Sequence, residues 1–163
     1  MSLPHLTTKD VMSSAATTCD GNDALHDAQD IMMRHGIRHL PVLQDSALVG
    51  VLSDRDVAVA LSFKGNNAKN TIASEVCARD IYVTHPGSSL AEVAAEMASH
   101  KYGSAVVTDS GDVVGILTTN DACCALAELL TPGSDLLAGR WSPGAGPAAL
   151  PCLGGSRSRK LWP

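Results

Sequence analysis

Aromatic side chains are scarce: two tryptophans, two tyrosines and one phenylalanine make up 3% of 163 residues. The core must therefore be aliphatic, built from Val, Leu, Ala, Ile and Met. Basic residues are also few, 12 Lys and Arg against 17 Asp and Glu. The net charge of −5 argues against nucleic-acid binding by bulk electrostatics, though not against a local anion site. No apolar run approaches the roughly 20 residues that cross a bilayer. The opening Met1-Ser2-Leu3-Pro4-His5-Leu6 lacks the charged and apolar regions of a signal peptide. The five cysteines (positions 19, 77, 123, 124 and 152) show no CxxC and no metal-ligand spacing, which points to a reduced, cytoplasmic setting. HExxH, the GxxxxGK phosphate loop and any supported Ser/His/Asp grouping are missing too, so no catalytic or metal-binding residue is assigned. With 45% hydrophobic and 18% charged residues, the composition is that of a globular protein and not of a disordered chain.

What the sequence does have is an internal repeat. Gly50-Val51-Leu52-Ser53-Asp54-Arg55-Asp56 recurs as Gly115-Ile116-Leu117-Thr118-Thr119-Asn120-Asp121, a shift of 65 residues. At the same shift Val11 meets Val76, Leu25 meets Leu90, Met32 meets Met97, His35 meets His100 and Val42 meets Val107. One GxxS/TxxD stretch is what many strand–turn–helix junctions produce, but two in register with their surroundings indicate duplication.

Each copy reads as β-α-β-β-α. In the first, Ala16 to Cys19 suits a short strand. Asp20-Gly21-Asn22-Asp23 is turn chemistry in which Asn22 or Asp23 can cap a helix. Leu25, Ala28, Ile31 and Met32 recur at helical spacing, and Gly36 suits the helix end. Pro41 places the His39–Leu43 strand at a sheet edge, or itself at a strand start. The second copy repeats the scheme with strands at Ile81–Val83, Gly103–Thr108 and Asp112–Leu117 and helices at Leu90–His100 and from Asn120. One unit has too small a sheet to cover its apolar face, so two units are expected to pack sheet to sheet. The fold class is α+β. The expected divisions are unit 1 at 9–62, a linker at 63–73, unit 2 at 74–130 and a flexible Gly/Pro-rich tail at 131–163 carrying Trp141 and Trp162.

These features, with Val11-Met12-Ser13, Arg38-His39-Leu40-Pro41-Val42 and Tyr102-Gly103-Ser104-Ala105-Val106-Val107, resemble a pair of CBS domains (a Bateman module) over roughly residues 9 to 130. The resemblance implies a pseudo-two-fold pair with two clefts, each formed by the motif of one unit and the early strands of the other. It assigns the ribose hydroxyls of an adenosine nucleotide to Asp56 and Asp121, whose two carboxylate oxygens suit a vicinal diol. Ser53 and Thr118, with the amides opening the next helix, suit phosphate oxygens. Arg55 offers phosphate a charge-assisted contact, and its counterpart Asn120 only neutral donors. The Asp56 cleft would gain Tyr82, Tyr102, Gly103 and Ser104; the Asp121 cleft would gain Thr17, Ile37, Arg38 and His39. Ala78, where the family has a hydroxyl, makes the two clefts unequal, and which binds better stays open. The bland alternative is that both aspartates only cap helices. Vicinal Cys123 and Cys124 read as buried small residues.

The resulting expectation is a non-catalytic regulatory module, homodimeric, sensing AMP, ADP or ATP (or S-adenosylmethionine or a dinucleotide). It requires no cofactor, touches neither nucleic acid nor membrane, and acts on an unknown regulated protein. A structural dimerisation module with empty clefts is the alternative. A small enzyme using Cys123 or a histidine is a third reading.

Overall fold

The structure, a computed structural model, describes residues 5–64 and 70–131. The expected tail with both tryptophans, from residue 132 on, and linker residues 65–69 lie outside the described residues. A 3-10 turn at Thr8–Asp10 is followed by β1 (Ser13–Ser14), β2 (Cys19–Asp20), α1 (Leu25–His35), β3 (His39–Gln44), β4 (Ala47–Ser53) and α2 (Asp54–Lys64). Then come α3 (Ala73–Val76), β5 (Tyr82–Thr84), α4 (Leu90–His100), β6 (Ser104–Asp109), β7 (Asp112–Thr118) and α5 (Thr119–Leu130). The units β2-α1-β3-β4-α2 and β5-α4-β6-β7-α5 share one scheme, as the 65-residue shift requires.

Two sheets result, ordered β2-β3-β4 and β1-β7-β6-β5. In each unit a parallel pair (β2 with β3, β5 with β6) is joined through a helix, and an antiparallel hairpin follows. Leu40, Pro41 and Val42 are all buried, as are Ala105, Val106 and Val107, so β3 and β6 are covered on both faces. Helices pack on both sheets, α1 on β3 and α2 on β4, α4 on β6 and α5 on β7. Two aliphatic clusters form the core. Leu25, Ala28, Met32, Leu40, Leu52 and Val57 anchor the first, and Leu90, Val93, Met97, Val107 and Leu117 the second. Burying each Leu or Val completely contributes about 1.5–3 kcal/mol.

The units exchange their lead-in segments. Val11 and Met12 belong to the core of the second unit, while Ala73 and Cys77 belong to that of the first. β1 pairs with β7, Ser13 opposite Ile116 and Ser14 opposite Gly115. In the reciprocal position Ala78 bridges Val51 through backbone bonds of 3.0 and 2.9 Å. Phe63 and Lys64 continue α2, and Thr71 to Ala73 are held by the turn at Asp23 to Leu25, through Leu25 N–H to Thr71 O and Ala73 N–H to Asp23 O, each 2.9 Å.

Three local expectations are corrected. Pro41 lies in the central strand of its sheet, not at an edge. The position tolerates it because Val51, opposite on β4, turns its N–H and C=O outward to Ala78, and on the other side the pairing with β2 begins only at Val42. Ala24, and neither Asn22 nor Asp23, occupies the N-cap of α1; the Asp23 carboxylate instead accepts from Asp20 N–H at 2.9 Å. The strand expected over Ala16 to Cys19 is β2, which begins only at Cys19. Gly36 does end α1, in the left-handed region at φ 64°. No helix among the described residues is long and apolar enough to cross a membrane.

Candidate functional site

Each motif turns a strand into a helix, and its carboxylate closes the turn. In α5, Thr118 N–H and Thr118 Oγ1–H donate to Asp121 Oδ2 at 2.8 and 2.6 Å, and Asp121 N–H donates back to Thr118 Oγ1 at 3.3 Å. In α2 the corresponding distances for Ser53 and Asp56 are 3.2, 2.6 and 3.1 Å. These are reciprocal capping boxes, so the capping reading of the two aspartates is correct as far as it goes. In both cases the two bonds that the carboxylate accepts fall on Oδ2, and Oδ1 receives none from the described residues. One acceptor oxygen per aspartate is left for a ligand.

The same bonds correct the role expected of Ser53 and Thr118. A hydroxyl has one proton, and here it is directed at the carboxylate, so neither side chain is a phosphate donor in this arrangement. The helix-opening amides differ between the units. In α2, Asp54 N–H is bound to Arg38 O (3.0 Å), Arg55 N–H to Asp54 Oδ1 (2.9 Å) and Asp56 N–H to Ser53 Oγ (3.1 Å). In α5, Thr119 N–H is bound to Gly103 O (3.1 Å), while Asn120 N–H has no acceptor among the described residues.

Both clefts lie between the units. The Asp121 cleft, of about 620 Å³, is lined by Thr118, Asn120 and Asp121 on one side and by Thr17, Ile37, Arg38 and His39 on the other. The Asp56 cleft, of about 320 Å³, brings Ser53, Arg55 and Asp56 to Tyr82, Tyr102, Gly103 and Ser104. The structure thus gathers every residue expected in each cleft. It adds Ser13, Ser14 and His35 to the first and Ala78, Asp80 and Lys101 to the second. The repeat held a signal for these: Ser13, Ala15 and Gly36 of the larger cleft fall on Ala78, Asp80 and Lys101 of the smaller when shifted by 65.

His39 is the exception to that symmetry, because it lines both clefts. Its ring packs so closely on Gly103 that a Cβ there would lie 2.7 Å from Nε2. Burial lowers the His39 pKa from 6.5; Asp54 opposes the shift, Arg38 adds to it, and Asp56 and Asp121 oppose it more weakly. In the Asp56 cleft the Tyr82 and Tyr102 rings stack with centroids 5.8 Å apart, and His100 stacks on Tyr102 at 5.5 Å. Tyr102 Oη donates to Asp80 Oδ1 at 3.4 Å. Partial burial and then Asp80 push the phenol pKa up. The cysteine pair departs from its expected burial: Cys123 is exposed and Cys124 half-buried, because Ala125 carries the inward face of this part of α5.

Two α+β repeats with exchanged lead-ins and a cleft at each motif define a tandem-repeat pair. The CBS domain profile matches residues 9–62 and 73–128, and the chain belongs to the CBS domain family. It is similar to the CBS domain-containing protein YhcV of Bacillus subtilis, 28% identical over 69% of this chain and 80% of that protein. It is also similar to the L-aspartate semialdehyde sulfurtransferase of Methanocaldococcus jannaschii, 32% identical over 74% of this chain but only 23% of that enzyme. Among solved structures, the CBS domain pair of protein MJ0100 in complex with 5′-methylthioadenosine and S-adenosyl-L-methionine superposes with a TM-score of 0.68. That match is at 28% identity and covers 76% of this chain and 98% of that one.

Proposed function

We propose that this chain is a non-catalytic, cytoplasmic regulatory module that binds an adenosine nucleotide (AMP, ADP or ATP) between its units and passes the occupancy on to a separate protein. The observation that carries this reading is the geometry of the clefts. Each sets a carboxylate with one unused oxygen at the start of a helix, facing the early strands of the opposite unit. An oxygen so placed accepts from a ribose hydroxyl, and a charge-assisted bond of this kind contributes about 1.5–3 kcal/mol. The adenosine compounds held by the MJ0100 pair support the same ligand class. A ligand wedged between two units also alters their packing, which is how occupancy becomes a signal. The module pairs with a second copy through α2 and α5, where Phe63 and Leu130 are 86% and 75% exposed.

Thermal-shift titration with AMP, ADP, ATP and S-adenosylmethionine tests the reading. A ligand at 100 times its Kd stabilises the fold by about 2.7 kcal/mol. If none raises the melting temperature at millimolar concentration, the sensor reading fails and the alternative of a structural dimerisation module with empty clefts replaces it.

A further inference from the structure

The repeat places the two clefts in correspondence, so their linings can be compared position by position. Thr17 of the Asp121 cleft is matched by Tyr82, and Ile37 by Tyr102. Ala15, Ala16 and Gly36 are matched by Asp80, Ile81 and Lys101. These five differences put the larger side chain in the Asp56 cleft. That cleft has the smaller residue at Val51, Ser53, Ala78, Gly103 and Ser104, and the gap beside Gly103 is taken up by His39 from the other unit. The outcome is a cavity of about 320 Å³ against about 620 Å³.

The groups that remain differ in kind as well. In the smaller cleft the tyrosine rings stack on each other, and Tyr102 is tied to Asp80. The three amides that open α2 are all bound by protein acceptors, Arg38 O, Asp54 Oδ1 and Ser53 Oγ, so none is left for a ligand. In the larger cleft the Asn120 amide is unclaimed among the described residues, and Arg38, which lines it, forms no ion pair there. Ser13 and Ser14 add hydroxyls. Arg55 and Lys101 line the smaller cleft, so charge does not separate the two; size and the unclaimed amide favour the larger one.

We infer that the two clefts have separate roles: the Asp121 cleft receives a phosphorylated adenosine ligand, and the Asp56 cleft, narrowed by the chain's own tyrosines, serves as a fixed joint between the units. This rests on the nucleotide-binding reading above and deepens it. Asp121 Oδ1 takes the ribose, Arg38 and the Asn120 amide take the phosphate, and Asp56 keeps only its capping role.

Calorimetric titration of the full chain with AMP, with a melting curve on each sample, tests the division. Wild type is expected to bind about one AMP per chain, because only the larger cleft combines its volume with an unclaimed helix-opening amide. Asp121→Asn should weaken binding by about tenfold or more, the loss of one charge-assisted bond. Asp56→Asn should leave affinity within about twofold, since that change lies outside the occupied cleft. Ile37→Tyr, which installs at the larger cleft the residue the smaller one already accommodates, should block AMP while the protein still melts cooperatively. It guards against the case in which Asp121→Asn merely unfolds α5. Two AMP per chain, or loss of binding in Asp56→Asn with retention in Asp121→Asn and Ile37→Tyr, would overturn the division. Failure of wild type to bind any adenosine compound would instead remove the reading on which it rests.

Discussion

The motif glycines are where the exchange of lead-in segments can be tested by a single methyl group. A Cβ built on Gly50 would lie 2.6 Å from both the Ala78 carbonyl oxygen and Cys77 Sγ, and 3.2 Å from Cys77 Cβ. Gly50 has no left-handed φ, so the demand is purely for space. To restore ordinary contact the Cys77–Ala78 backbone must withdraw by roughly 0.8 Å. That segment is held by the two Val51–Ala78 backbone bonds and by the buried Cys77 side chain. Overpacking of this kind costs about 1–3 kcal/mol, and weakening two backbone bonds adds about 1 kcal/mol each. Gly50→Ala should therefore destabilise by about 3–5 kcal/mol. At roughly 2–8 °C per kcal/mol for domains of this size range, the melting temperature falls by about 6 °C or more. Gly103→Ala is the control. Its Cβ would approach only the His39 ring, 2.7 Å from Nε2, and that ring can rotate aside, so the cost should stay near 1 kcal/mol or below. Circular-dichroism melts of the three proteins decide the matter. If Gly50→Ala melts within about 2 °C of wild type, or Gly103→Ala is the worse of the two, the crossed packing is misplaced.

Other outcomes can be checked on the same material. Because burial lowers the His39 pKa below 6.5, the unfolded chain takes up the proton first as pH falls, and stability drops from pH 6.5 down to the folded-state pKa. His39→Gln should lose less melting temperature than wild type between about pH 7.5 and about pH 5.5, and an equal loss would refute this. Lys101 ends α4 in the left-handed region at φ 60°, where its pseudo-equivalent Gly36 sits at 64°. Lys101→Gly should be neutral or stabilising by up to about 1 kcal/mol in denaturant titration. A clear destabilisation would show that the side chain holds more than the helix end. Burial pushes the Cys19 thiol up to about 12 and raises Cys77 too, whereas Cys123 is exposed. Peptide mapping after brief alkylation at about pH 8 should find Cys123 modified and Cys19 and Cys77 spared. Labelling of Cys19 at the rate of Cys123 would contradict its burial.

Much of this protein was legible before any coordinates, and the legible part is the local part. The 65-residue shift and the periodicities of Leu25–Met32 and Leu90–Met97 determine two β-α-β-β-α units, because helix and strand patterns repeat within a few residues. Gly-x-x-Ser/Thr-x-x-Asp already contains the capping box, whose partners are three residues apart. The resemblance to paired CBS domains then placed Tyr82 and Tyr102 across from Asp56, and Ile37 and Arg38 across from Asp121.

What lay beyond the sequence depends on contacts between distant segments and on volume. Nothing local in Val11-Met12 says that it completes the second unit's core, or that Cys77-Ala78 needs a glycine at position 50; both follow from where the chain crosses. Likewise, Ser53 and Thr118 look like free phosphate donors until their proton is seen to point at the neighbouring carboxylate. The twofold difference between the clefts is the clearest case. Tyr82 for Thr17 and Tyr102 for Ile37 are unremarkable substitutions in a repeat, and they decide a cavity only once two walls face each other. A sequence pattern encodes which way each side chain points along its own element, whereas the space left between two elements is set by their packing.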